Sequence, residues 1–219
     1  MKTKIIDLYN NDDFKKYYEF LISENEKYNL TSITLENEVY VKHFLDSLAL
    51  ENIMDLKEVT LCDVGSGAGF PSIPLKIMYP SIKLTIIEPT LKRCKFLESL
   101  VELLGLENVE IINDRAENIK NMYFDIVTAR AVSNLSILLE LCIPLVKVNG
   151  YFIGYKGSNY KEELDGAKGA IKALNVKLVD VYEYDLEEYG RHSLIKFLKD
   201  KETNKIYPRP YAQIKKKPL

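Results

Sequence analysis

Between Thr60 and Lys156 the sequence repeats one change of rhythm five times, a short β-rich run followed by a longer segment. The runs are TLCDVG (60–65), KLTIIE (83–88), VEIIND (109–114), FDIVTA (124–129) and GYFIGYK (150–156). The intervening segments suit helices. In TLKRCKFLESLVELLG, Leu91, Cys94, Leu97, Val101 and Leu104 fall on one face ahead of a terminating Gly105. Strands apolar on both faces and alternating with helices form a parallel sheet covered on both sides. After Lys156 the pattern shifts to a helix over 160–174 and then two runs, KLVDVYEYDL (177–186) and RHSLIKFLK (191–199). Strands so close together pair only as an antiparallel hairpin. The expected fold is α/β and Rossmann-like, a mostly parallel seven-stranded sheet with a C-terminal antiparallel hairpin.

The first fifty residues read differently. Phe14, Tyr17, Tyr18, Leu21 and Ile22 have helical spacing over 12–28 behind Asp12 as N-cap, and Val41, Phe44, Leu45 and Leu48 repeat it after the polar break YNLTS. The expected organisation is an N-terminal helical region over 1–55, a sheet domain over 56–200 and a basic C-terminal tail over 201–219.

The bulk composition excludes several classes. Three scattered cysteines with no CxxC pair argue against a disulfide framework, and two histidines outside any Cys/His cluster argue against a metal site. The charged N-terminus has no signal-peptide core, and the most apolar run, LSILLELCIPLV, is short and interrupted by Glu140 and Pro144. These features suit a cytoplasmic protein with no membrane partner, and nothing demands more than a monomer. A net charge of −2 gives no global attraction to nucleic acid. Local patches exist at LKRCK (91–95) and in the tail YPRPYAQIKKKPL (207–219), although either run also suits a solvated surface.

The turn after the first run, D-x-G-x-G-x-G from Asp63 to Gly69, occupies the place where such sheets bind ligands. Gly65, Gly67 and Gly69 permit close backbone approach. In the nicotinamide template G-x-G-x-x-G/A the last position would be Phe70, where close packing wants glycine or alanine. The spacing favours S-adenosylmethionine instead, because a cofactor without phosphates tolerates the acidic Asp63, which can face its amino group. Glu88, closing the second run, is placed to accept both ribose hydroxyls. Asp114, Arg115, Ala116 and Glu117, after the third run, are candidates for the adenine edge, with a capped turn as the plain alternative. A glycine turn alone is a weak signal; the turn, Glu88 and the terminal hairpin together indicate a class I S-adenosylmethionine-dependent methyltransferase. A nicotinamide oxidoreductase and a non-catalytic RNA-binding protein are the rival readings.

Six stretches then occur in a familiar order: EKYNLTSIT (26–34), VKHFLDSLAL (41–50), DVGSGAGFPSIPLKI (63–77), LKRCKFL (91–97), ARAV (129–132) and YKG (155–157). In this the chain resembles the RsmG, or GidB, family of bacterial methyltransferases that act on a guanine N7 of small-subunit (16S) ribosomal RNA. The likeness runs from about Tyr28 to Gly157, and RHSLIKF and the proline-containing tail extend it. The resemblance implies that Gly65 and Phe70 contact the cofactor, that Ala116 and Glu117 hold the adenine side, and that Arg130 reaches both the cofactor and the target pocket. Ser72 stands where the family often has glycine, and Pro89–Thr90 follow Glu88 in place of a more usual acidic-serine pair.

Guanine N7 carries an in-plane lone pair and no proton, so its methylation needs alignment rather than a general base. Arg130 and Lys156, each beside a strand end, are the candidate catalytic residues, offering donors to guanine O6; a plain surface role is the alternative for Lys156. Lys92 and Arg93, with Lys215, Lys216 and Lys217 in the tail, are candidate contacts for RNA phosphate. His43 and Asp46, three apart on one helix, suit either a lid over the cofactor formed with YNLT or a polar cluster anchoring the helices to the sheet, and Asn29 and Thr31 suit the same lid or plain capping. Arg191 and His192 carry no expected catalytic role.

Overall fold

The computed structural model describes residues 3–219. Seven strands form one sheet in the order β3-β2-β1-β4-β5-β7-β6: β1 (Thr60–Val64), β2 (Lys83–Ile87), β3 (Val109–Ile112), β4 (Phe124–Arg130), β5 (Val146–Lys156), β6 (Lys177–Asp185) and β7 (Arg191–Leu198). The first five are mutually parallel, and β7 runs antiparallel to both β5 and β6. The fold is the Rossmann-like class I methyltransferase fold expected from the strand–helix rhythm. The order reverses between β1 and β4, which opens a crevice at their carboxyl ends.

The helices are α1 (Ile5–Tyr9), α2 (Asp12–Tyr28), α3 (Glu36–Val39), α4 (Asp46–Leu48), α5 (Ser72–Met78), α6 (Leu91–Leu103), α7 (Leu135–Cys142), α8 (Tyr160–Gly166), α9 (Lys168–Leu174) and α10 (Tyr211–Lys216). Two apolar clusters lie on the sheet's two sides. One joins Phe14, Tyr17 and Leu21 of α2 and Phe44 to Leu61, Ile73 and Leu97. The other joins α7 and α9 to Cys62, Val127, Phe152 and Ile214. No helix among the described residues is long and apolar enough to cross a membrane, and none of their His, Cys, Asp or Glu side chains cluster in threes fit to hold a metal.

Three local details differ from expectation. Asn11, not Asp12, caps α2, its side chain accepting from the Asp13 amide; Asp12 is the first helical residue, where its charge meets the positive helix end. The helix expected over 160–174 is two short ones meeting at Ala167, after Gly166 ends the first. The second N-terminal helix is not uniform either. Tyr40–Leu45 winds as a π-helix between α3 and α4, a geometry that gathers at functional sites.

Candidate functional site

Because β1, β2, β4 and β5 are parallel, their carboxyl ends bring Gly65, Glu88, Arg130 and Lys156 to one edge. The antiparallel β7 enters at that edge, so His192 and Ser193 join them; Lys156 pairs in register with Ser193.

The glycine turn shapes a cleft of about 240 Å³ over the β1 and β2 ends. Gly65 has φ +73°, and a Cβ there would lie 2.7 Å from Val132 Cγ2, so both conformation and room require glycine. Glu88 is buried, and its carboxylate is held at both oxygens: Oε2 accepts from Gly67 N–H at 3.1 Å and Oε1 from Thr90 N–H at 2.9 Å. Thr90 thus fixes the carboxylate through its backbone, independently of its side chain. A carboxylate has further lone pairs to accept two vicinal hydroxyls. Ile87, Ala116 and Leu141 make an apolar slot beyond it, flanked by Arg115 and Glu117. A slot next to a buried, oriented carboxylate, with no Cβ at the turn, fits an adenosyl group.

A larger cavity, about 720 Å³, adjoins this cleft; Ala131 and Val132 line both. Ala131 holds φ +56°, an uncommon conformation for a residue with a Cβ, at the point where the two spaces meet. Arg130 and Lys156 line the larger cavity together with Lys42, Asn134, Glu163 and Tyr189. Lys156 Nζ lies 2.6 Å from Glu163 Oε2 and donates to Ser133 O at 2.8 Å, which ties the loop after β4 to α8.

Arg130 is the centre of a polar hub. Its Nη1 lies 2.7 Å from Asp46 Oδ2 and its Nη2 lies 3.0 Å from His43 Nδ1, while Nη1 also reaches the carbonyls of Lys42 and His43. Asp46 Oδ1 accepts from Tyr184 Oη at 2.7 Å and contacts His192 Nδ1 at 2.9 Å. Burial pushes the Asp46 carboxyl up, but the His192 and Tyr184 hydrogen bonds and the Arg130 charge outweigh it and hold the group below its usual range. Since the guanidinium only donates, His43 Nδ1 accepts, and Nε2–H donates to Thr31 Oγ1 at 2.9 Å. The imidazole also stacks on Phe70, with ring centroids 4.5 Å apart. Of the two readings of His43 and Asp46, the geometry is that of the anchoring cluster: both grip Arg130, and through it the helices hold β4. Asn29 ends α2 in the left-handed region, and Asn25 Oδ1 accepts from the Leu30 and Thr31 amides, so the NLT segment sets Thr31 against His43.

Burial, reinforced by the Arg130 charge and opposed by Asp46, lowers the His43 pKa to about 3, so the folded ring is neutral. The unfolded chain protonates it near the ordinary value of about 6.5, so its contribution to stability is complete above that pH and drains away as pH falls toward 3. Asp63 acts oppositely. Burial raises its carboxyl to about 6 against hydrogen bonds from Ser66, Ser72 and Thr128, so folding takes up a proton there as pH drops below 6. Subtraction separates the two: the stability advantage of wild type over His43→Gln should shrink by about 1.4 kcal/mol per unit from about pH 6.5 to 5. Urea unfolding of both proteins reads this, and a constant difference would refute it.

The structure brings some of the expected site residues together in two places. Gly65, Glu88, Arg115, Ala116 and Glu117 meet in the cleft with Arg93 at its edge, while Arg130 and Lys156 meet in the larger cavity. Gly67 touches the cleft through Glu88. Asp63 is enclosed between Ser72 and Thr128, and Phe70 packs among Tyr17, His43, Phe44 and Arg130; neither lines the cleft. Gly69 packs against Tyr17 and Ile73, and Asp114 turns to Asn118 and the Arg115 amide. Lys92, Lys215, Lys216 and Lys217 are exposed and line neither cavity. Residues not anticipated are Val132, Glu163, Tyr184, His192 and Tyr211. Only the position of His192 at a strand start beside the hairpin could have drawn attention to it.

The fold is found in the crystal structure of M. jannaschii TYW2 in complex with AdoMet, which has a TM-score of 0.59 at 18% identity and covers 77% of this chain and 79% of that one. Among curated proteins, the ribosomal RNA small subunit methyltransferase G of Staphylococcus saprophyticus is 51% identical over 212 residues, covering 94% of this chain and 89% of its own length. That of Acholeplasma laidlawii is 49% identical over 215 residues, covering 95% and 92%. The GidB family, described as rRNA small subunit methyltransferase G, matches residues 10–193. A family match over residues 10–193, together with curated relatives about half identical along nearly the whole chain, shows that this chain belongs to the GidB family of rRNA small subunit methyltransferases.

Proposed function

We propose that this protein transfers the methyl group of S-adenosylmethionine to N7 of a guanine in 16S ribosomal RNA, acting as a cytoplasmic monomer on the RNA or the small subunit. The observation that carries the reading is the junction of two cavities at Ala131 and Val132: one is shaped for an adenosyl group, the other is rimmed by donors and large enough for a base. S-adenosylmethionine, when bound, supplies an electrophilic methyl on a sulfonium. Glu88 takes the ribose, and the slot at Ile87, Ala116 and Leu141 takes the adenine, which directs the remainder toward Gly65 and Val132.

On the other side of that junction a splayed-out guanine enters the larger cavity, as single-stranded bases do in RNA recognition. Lys156 beside Glu163 sets a donor next to an acceptor, the complement of guanine O6 and N1–H, and leaves N7 free. The N7 lone pair then forms the new bond to carbon as the carbon–sulfur bond breaks, and no proton moves. Both histidines support a path without a general base: His43 is neutral and engaged at both ring nitrogens, and His192 is engaged with Asp46. The contribution of the site is alignment, worth on the order of 7–11 kcal/mol in well-oriented systems. Lys92, Arg93 and Lys215 to Lys217 contribute phosphate contacts that position the RNA.

The deciding experiment incubates the protein with methyl-labelled S-adenosylmethionine and small subunits, or naked 16S RNA, from cells lacking the gene. Label should appear at one guanine that becomes cleavable as N7-methylguanine. Label confined to another base, or to small molecules, would overturn the reading.

A further inference from the structure

The segment after β7 does not leave the molecule. Arg209 reaches back to Glu140 on α7, with Nε 2.7 Å from Oε1 and Nη2 2.6 Å from Oε2, and its amide donates to Oε1 at 3.0 Å. Two residues later α10 begins, and its Ile214 is fully buried in the cluster that holds α7. Between these two anchors stands Tyr211, half-buried, lining the smaller cleft and packed against the apolar cluster that holds Ala116 and Leu141. The guanidinium of Arg115 lies 4.8 Å above its ring. Its hydroxyl makes no hydrogen bond to the described residues, and its ring adds an aromatic surface to the cleft wall.

Glu88 fixes where a ribose sits, and the base attached to that ribose extends toward Ala116, the end of the cleft that Tyr211 walls. We propose that Tyr211 is an adenine-binding residue: its ring packs against the base of the cofactor, and the Glu140–Arg209 pair pins the segment that presents it. The C-terminal segment is then a part of the cofactor site rather than an independent basic arm. The proposal rests on the reading of the smaller cleft as the S-adenosylmethionine site. Stacking of an aromatic ring on a base needs no hydroxyl, so phenylalanine should serve as well as tyrosine.

Calorimetric titration with S-adenosylhomocysteine tests both levels. Wild type and Tyr211→Phe should bind within about twofold of each other and melt at the same temperature without ligand, and Tyr211→Ala, titrated where it is fully folded, should bind about tenfold more weakly. The chain has no tryptophan, so Tyr211→Trp carries a single indole. Its emission should be quenched saturably, with the midpoint that calorimetry gives, a signal that a purely structural role would not produce. Wild-type affinity in Tyr211→Ala, or indole emission unmoved at saturating ligand, would overturn the proposal while leaving the cofactor reading intact. Absence of binding by the wild-type protein would overturn the cofactor reading and this proposal with it.

Discussion

Arg130→Ala is expected to destabilise the protein by roughly 3–5 kcal/mol, the usual cost of removing one member of a buried ion pair. Asp46 is 3% exposed and would keep its negative charge in a place water does not reach. Its contacts with Tyr184 and His192 survive, but the nearest permanent cation is gone. Three further acceptors lose a donor at the same time: the carbonyls of Lys42 and His43 and the Nδ1 of His43. The urea midpoint should fall with little change in slope. Lysine should not rescue it, because one ammonium cannot span Asp46 and His43 as the two guanidinium nitrogens do. An Asp46→Asn partner completes a double-mutant cycle, in which a coupling near zero would show that the pair does not hold the helices to β4. Methyl transfer, assayed where the variant is still folded, should drop about 100-fold, since Arg130 sets the strand end and loop at which the two cavities meet.

This hub also marks the limit of what the sequence could disclose. The five-fold alternation and the closing hairpin made the sheet legible, because period and spacing are local properties. The glycine turn and Glu88 were legible for the same reason: each sits immediately after a strand, and topology alone carries both to one edge. Asp46, by contrast, meets Arg130 across 84 residues and His192 across 146, and no local pattern encodes such a meeting. His43 and Asp46 could be assigned to one helix face but not to a partner. The family resemblance implies a cofactor contact for Phe70, yet aromatic packing draws it inward against Tyr17 and His43. The C-terminal stretch reads as a solvated basic run because three consecutive lysines, Lys215 to Lys217, dominate its pattern. Apolar side chains spread along it, Tyr207, Tyr211, Ile214 and Leu219, settle where it lies.

Arg209→Ala tests that last point through stability, and the asymmetry of the Glu140–Arg209 pair sets the expected size. Glu140 is the lone charge in the apolar run of α7 and is 0% exposed, whereas the Arg209 side chain is 23% exposed. Removing Arg209 strands a carboxylate that has no access to water, at a cost of roughly 3–5 kcal/mol. Glu140→Gln keeps the shape and leaves an arginine that water can reach, so the loss should be nearer 1.5 kcal/mol, the worth of charge-assisted hydrogen bonds exchanged for weaker ones. The double variant should then be more stable than Arg209→Ala alone, because removing the carboxylate cures the defect that the first substitution creates. Urea unfolding of the three variants measures all of this. If Arg209→Ala unfolds at the wild-type midpoint, the segment is held by its apolar contacts and the ion pair is incidental. A large loss that Glu140→Gln partly reverses would mean that this pair fastens the C-terminal segment against the sheet, and with it Tyr211 on the wall of the smaller cleft.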